Sequence, residues 1–142
     1  MPSKLTDLEL TKLCADLRGI QYSVQKDRPA YGGDEYVRIE AYPGDANGGC
    51  YQPLFNDLQA MDLVKAVMLD IEPQGPDWWM VSLWTDDARR VCVTYDESLN
   101  RAIVGAAAKL QQARVKRAEW LNEPIKQFDY RMDPVNQPEN MR

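Results

Sequence analysis

Trp78-Trp79-Met80-Val81-Ser82-Leu83-Trp84 is followed, after Asp86-Asp87, by Val91-Cys92-Val93-Thr94-Tyr95. Both runs are dense in β-branched and aromatic residues, which suit a pleated, half-buried surface. The paired aspartates between them favour a tight turn, so the two runs read as an antiparallel hairpin. The first run is apolar on both faces. It predicts either a central strand covered on both sides or a strand with one aromatic face left for a ligand or partner.

Directly after this hairpin, Asp96 or Ser98 caps the longest helix, expected over 97–121. Leu99, Ile103, Ala106, Ala107, Leu110 and Ala113 recur as its inner stripe. Gly105-Ala106-Ala107-Ala108 lets the helix approach a sheet closely. Beyond Leu110 the stripe weakens and Arg114, Lys116 and Arg117 appear, so this end is expected to project into solvent or toward another chain. With Lys109 these residues form a modest basic strip, which reads as a solvated face favoured by the helix macrodipole. Pro124 stops the helix.

Upstream, Thr6 with Glu9 forms a capping-box pattern. Leu10, Leu13, Cys14 and Leu17 follow at helical spacing and Gly19 can close the helix, giving a first helix over 6–18. Ile20, Tyr22 and Val24 alternate with polar residues, as do Val37, Ile39 and Ala41, so these segments pair as a hairpin across a long polar loop. Pro43 to Gly49 is a breaker cluster. Asn56 then caps a helix on which Leu58, Met61, Leu63, Val64, Val67 and Met68 make one broad apolar face, ended by Pro73, Gly75 and Pro76. The expected order is α-β-β-α-β-β-α. This is an α+β single-domain sandwich of about four antiparallel strands packed with three helices over residues 1–122. Residues 123–142 form an extended, polar C-terminal tail whose Phe128, Tyr130 and Met132 are candidate contacts to a neighbouring subunit of a homo-oligomer.

The chain of 142 residues is long enough for one domain with a real core. It contains no histidine. That removes His-zinc sites, Ser-His and Cys-His nucleophile pairs, a histidine general base and a histidine pH switch. Its 17 Lys+Arg against 22 Asp+Glu give a formal charge of −5, without the basic footprint of most nucleic-acid binders. Direct nucleic-acid binding is therefore disfavoured, and no helix-turn-helix is recognisable. Three widely spaced cysteines, 14, 50 and 92, suit a reducing cytoplasm better than a disulfide framework or zinc ribbon. Cys14 and Cys92 read as small core residues and Cys50 as exposed. No apolar leader follows Met1-Pro2-Ser3-Lys4, and no run approaches the length of a membrane span.

The chemistry left for a site is limited. Asp86-Asp87 and Asp34-Glu35 are adjacent in turns, and neighbours on a strand point to opposite faces, so neither pair makes a dyad. No calcium loop or phosphate loop is present, and no metal or cofactor is expected. A hydrolase built on carboxylates and a metal is the weakest alternative. Aromatic and arginine content is the stronger signal. Trp78, Trp79, Trp84, Tyr95 and Tyr51 fall near strand ends and the entry to the second helix, and Arg89, Arg90 and Arg101 flank the same region. Stacking faces beside guanidinium groups suit a nucleotide or the hot spots of a protein interface. The plain alternative is two core tryptophans and solvated arginines. The candidate ligand- or partner-binding set is Arg101, Tyr95, Trp84, Tyr51, Arg89 and Arg90.

Two segments carry a resemblance. Tyr51-Gln52-Pro53-Leu54-Phe55-Asn56-Asp57, running into Ala60-Met61-Asp62-Leu63, resembles the aromatic-Asn-Pro-Leu-x-Asp stretch before a helix in small tailed-phage proteins of the NinX-like or phage ABA-sandwich kind. Arg101-Ala102-Ile103-Val104-Gly105-Ala106-Ala107 resembles the Arg-Ala-Ile-x-x-Ala-Ala stretch of their last helix. The chain departs from the pattern at Gln52, where Asn is usual, and at Asn100 and Gly105, where Arg is common. The resemblance implies bacteriophage origin, expression in host cytoplasm and an accessory role; it implies no catalytic mechanism, because the family has no established one. The resulting expectation is a non-enzymatic counter-defence protein. Its partner would be a host defence protein such as a CRISPR effector, or a nucleotide immune signal to be sequestered. The alternative is a homo-oligomeric structural or assembly module with no small-molecule ligand.

Overall fold

The computed structural model describes residues 4–27, 33–41 and 49–121, with side chains described to residue 118. Helix α1 (Asp7–Arg18) starts where the capping box places it. The Thr6 hydroxyl accepts from the Glu9 amide at 3.2 Å, and the Glu9 carboxylate accepts from the Thr6 amide at 3.2 Å. Gly19, at φ 68°, ends it in the left-handed conformation. Strands β1 (Tyr22–Lys26), β2 (Glu35–Ile39) and β3 (Gly49–Tyr51) form a three-stranded antiparallel sheet with β2 in the middle. Helix α2 (Asp57–Val67) is capped by Asn56, whose side-chain oxygen accepts from the Gln59 amide at 3.0 Å. Strands β4 (Asp70–Pro73), β5 (Trp79–Trp84) and β6 (Arg90–Asp96) form a second antiparallel sheet with β5 central. Helix α3 (Leu99–Leu121) is the last described element, with the Ser98 hydroxyl accepting from the Arg101 amide at 3.2 Å.

The fold is α+β, and the expected hairpins are present, but the described residues form six strands rather than about four. The two additional strands are short and polar in sequence. Gly49-Cys50-Tyr51 follows a glycine cluster, and Asp70-Ile71-Glu72-Pro73 combines poor strand formers with a proline. Both are edge strands, where pairing on one side is enough and a proline is tolerated. Each is specified by its neighbour: Tyr51 sits opposite Val37, and Ile71 opposite Val81.

Helix α3 lies in the middle of the core. It packs on β5 and β6 and also on α1 and α2, while α1 packs on β2 and thereby joins the first sheet to the helices. Ala102, Ile103, Val104, Ala106, Ala107, Ala108 and Leu110 are all buried, more sides of the helix than one amphipathic stripe covers. Its small residues permit this crowding. The expectation that α3 turns to solvent after Leu110 is corrected: Gln111 and Arg114 are buried, so Arg114 does not belong to an exposed basic strip. The broad apolar face expected on α2 is also corrected. Ala60, Leu63 and Val67 face the core, whereas Leu58, Met61 and Met68 are exposed. The residues from 122 onward, including Phe128, Tyr130 and Met132 and the boundary at 122/123, lie outside the described residues. Among the described residues, no helix is long and apolar enough to cross a membrane.

Candidate functional site

Residues directly opposite one another on paired antiparallel strands share a face. In the second sheet, Asp70 faces Ser82, Glu72 faces Met80, Arg90 faces Trp84 and Tyr95 faces Met80. One side of this sheet therefore carries Asp70, Glu72, Met80, Ser82, Trp84, Arg90 and Tyr95. The other side carries Val81, Leu83 and Val91 into the core. A β-bulge marks β6. Val81 pairs with Thr94 and Leu83 with Val91, so two residues of β6 oppose Ser82 alone, and Cys92 takes φ 55°. The bulge bends β6 beside the outward-facing Arg90.

Arg90 is the centre of this face. Its guanidinium donates to Glu72 at 2.6 Å, to Asp70 at 3.2 Å and to the Ser82 hydroxyl at 2.9 Å, and it lies 4.1 Å from the Trp84 ring centroid. The fork of Arg spans two carboxylates while its plane stacks on the indole, a combination that lysine does not reproduce. Trp84 beside it is 42% exposed, and toward the other end of the sheet Trp78 and Tyr95 are 47 and 57% exposed. Arg89, at the end of the Asp86-Asp87 turn, pairs with Asp87 at 3.2 Å. The Asp87 carboxyl is held below the usual carboxylate range, first by the hydrogen bond it accepts from the Thr85 hydroxyl and also by Arg89.

The six candidate residues do not meet in one pocket. Trp84, Arg90 and Tyr95 share the outer face of the second sheet, with Arg89 at the adjoining turn. Tyr51 is buried in the first sheet opposite Val37. Arg101 sits at the start of α3 and forms a two-pronged ion pair with Asp7 of α1, at 3.0 and 3.3 Å. Beside it the Asn100 amide donates to Asp57 at 2.8 Å, so the beginnings of all three helices are tied together. Sequence separation hides this pairing, since Asp7 and Arg101 lie 94 positions apart. Asp70 and Glu72 were missed as Arg90 partners, although their i, i+2 spacing is the signal that places two carboxylates on one strand face. Among the described residues, no group of three or more acidic or cysteine side chains is placed to hold a metal ion.

The cysteines are placed as their surroundings predict: Cys14 buried, Cys92 half-buried and Cys50 exposed. Burial pushes the Cys14 thiol up, and it donates to the Val104 carbonyl at 3.6 Å. Partial burial, then the negative charge of Asp27, raises Cys50 above the ordinary thiol value of 9.0. The thiolate is the reactive form. In native protein, Ellman's reagent should therefore modify Cys50 first, with a rate still climbing above pH 9.0, while Cys14 reacts only on unfolding. Rapid labelling of Cys14, or a Cys50 rate already flat at neutral pH, contradicts this placement. No family model, curated protein or solved structure matches the chain.

Proposed function

We propose that the protein is a non-enzymatic bacteriophage accessory protein that acts in counter-defence by binding a host protein through the outer face of its second sheet. The phage setting and host cytoplasm rest on the resemblance carried by residues 51–63 and 101–107. One observation favours a protein partner over a nucleotide signal. Each of Arg89, Arg90 and Arg101 is already paired with a carboxylate. A phosphate-bearing ligand needs uncommitted cations, and these three would have to abandon their partners to serve it. What remains is exposed aromatic surface in an acidic field. Arg89 and Arg90 stand among Asp70 and Glu72 on this face and Asp77, Asp86 and Asp87 in the adjoining turns. Aromatic anchors with negative surroundings suit a basic protein surface, such as the nucleic-acid channel of a defence effector, by cation–π contact and charge complementarity.

The test pairs a plaque assay with calorimetry. Expression of the chain in a bacterium defended by a CRISPR effector should restore infection, and Trp84→Ser with Tyr95→Ser should reduce the effect at least tenfold, the scale of losing interface anchors. Titration with cyclic nucleotides should give no heat. Full protection by a folded double variant, or saturable heat with a nucleotide, would falsify this reading.

A further inference from the structure

We infer that the chain has a second binding surface, independent of the one above, at a cleft between α1, β2 and the turn that enters α2. It takes an aromatic or large aliphatic anchor of a protein partner, flanked by Lys or Arg. The cleft has a volume of about 130 Å³. Cavities near 150 Å³ accommodate a benzene ring, so this one suits a single ring-sized side chain. Leu8, Val37, Leu54 and Phe55 supply apolar lining, and Asp7 and Glu35 supply carboxylates.

Phe55 and Leu58, at 71 and 84% exposed, are the most exposed large apolar side chains among the described residues. Phe55 follows buried Pro53 and Leu54 in the same turn, and it is held outward by a pinned backbone. Its amide donates to the Gln52 carbonyl at 2.9 Å. The Gln59 side chain accepts from the Gln52 amide at 2.7 Å and donates to the Cys50 carbonyl at 3.1 Å. With the backbone fixed, only the two side-chain dihedrals of this outward-facing aromatic are left to order on binding, which suits an interface anchor.

Charge complementarity identifies the occupant. Asp7 and Glu35 line the cleft, where no Lys or Arg does; Arg101 pairs with Asp7, and Glu35, opposite Lys26 on β1, makes no ion pair among the described residues. A second copy would bring like charges together here, whereas Lys or Arg beside the anchor finds them favourable.

The probe is acetyl-Lys-Arg-Phe-Arg-Lys-amide, titrated into ¹⁵N-labelled protein and followed by heteronuclear NMR. The expected result is saturable shifts at Leu8, Tyr36, Gln52 and Phe55. Phe55→Ser should weaken binding about tenfold, and a probe with Ser in place of Phe should do the same. Glu35→Gln should weaken it less, as expected for one exposed charge. Both substitutions are on exposed positions, and preserved spectral dispersion shows that each variant folds. Absence of saturable shifts overturns the proposal, as does equal binding of the Ser probe. Shifts confined to Trp84 and Tyr95 place the peptide on the other surface and also overturn it. A dimer in light scattering that Phe55→Ser dissociates would assign the cleft to a second copy instead.

Discussion

Gly105→Val is expected to lower the thermal midpoint by about 10 °C, from roughly 3 kcal/mol of overpacking at about 3–4 °C per kcal/mol for a chain of this size. The cause is a single close approach. A Cβ added at Gly105 would lie 2.8 Å from the Thr94 methyl and 3.4 Å from its hydroxyl oxygen. Thr94 projects from β6 on the core side of the sheet, opposite Val81, and its β-branch leaves χ1 little freedom to turn away. One turn further along α3, the Lys109 ammonium donates to the Val93 carbonyl, so the helix is held against the same strand and cannot drift outward without breaking that contact. This bond also occupies a carbonyl of β6, an edge strand.

Gly105→Ala is a finer test, because alanine gains about 1 kcal/mol of helix propensity while meeting the same methyl group. The net loss should be about 1 kcal/mol, the overpacking of a well-filled contact less that gain. Pairing it with Thr94→Ala should remove the loss. The Thr94 hydroxyl is buried and has no hydrogen-bond partner among the described residues, so deleting it strands nothing. Urea denaturation of both single variants and the double closes the cycle, with a favourable coupling of about 1 kcal/mol expected for residues in direct contact. If Gly105→Ala costs the same with or without the Thr94 side chain, the close approach is not what requires glycine here.

Gly105 also shows what sequence reading could reach. The Gly-Ala-Ala-Ala run announced a helix lying close to a sheet, and the hairpin of β5 and β6 was plain from its β-branched and aromatic density. The caps Thr6, Asn56 and Ser98 were legible because capping is a local interaction between residues three apart. What stayed hidden depends on partners far along the chain. β3 and β4 carry weak propensity and exist because β2 and β5 offer them an edge. Arg101 has the composition of a ligand contact but is claimed by Asp7, and Arg90 is claimed by Asp70 and Glu72. Residue type identified the interesting aromatic and arginine positions. Only the register of the second sheet separated Trp84, Arg90 and Tyr95 from the buried Tyr51.

Leucines 58 and 63 make the same point energetically, since both stood on one expected face of α2. Leu63 is fully buried among the core residues, whereas Leu58 stands in solvent at the first turn. Helical geometry sets them apart, because five positions along a helix of 3.6 residues per turn amount to a rotation of about 140°, wider than the roughly 100° stripe that one packed face covers. Which of the two faces is buried depends on α3: it packs against α2, where Ala60, Leu63 and Val67 are buried and Leu58 and Met61 are left outside. Leu63→Ala should therefore cost about 2–5 kcal/mol, the lost transfer energy plus a cavity that α3 is too constrained to fill. Leu58→Ala should change stability by less than about 0.5 kcal/mol, as at other exposed sites. Chemical denaturation of the two variants decides it through their midpoints at unchanged slope. Equal losses at both positions would return Leu58 to the core and remove the exposed apolar surface beside Phe55. A large loss at Leu63 alone, with Leu58→Ala folding as the parent does, leaves that surface unused by the fold and open to a partner.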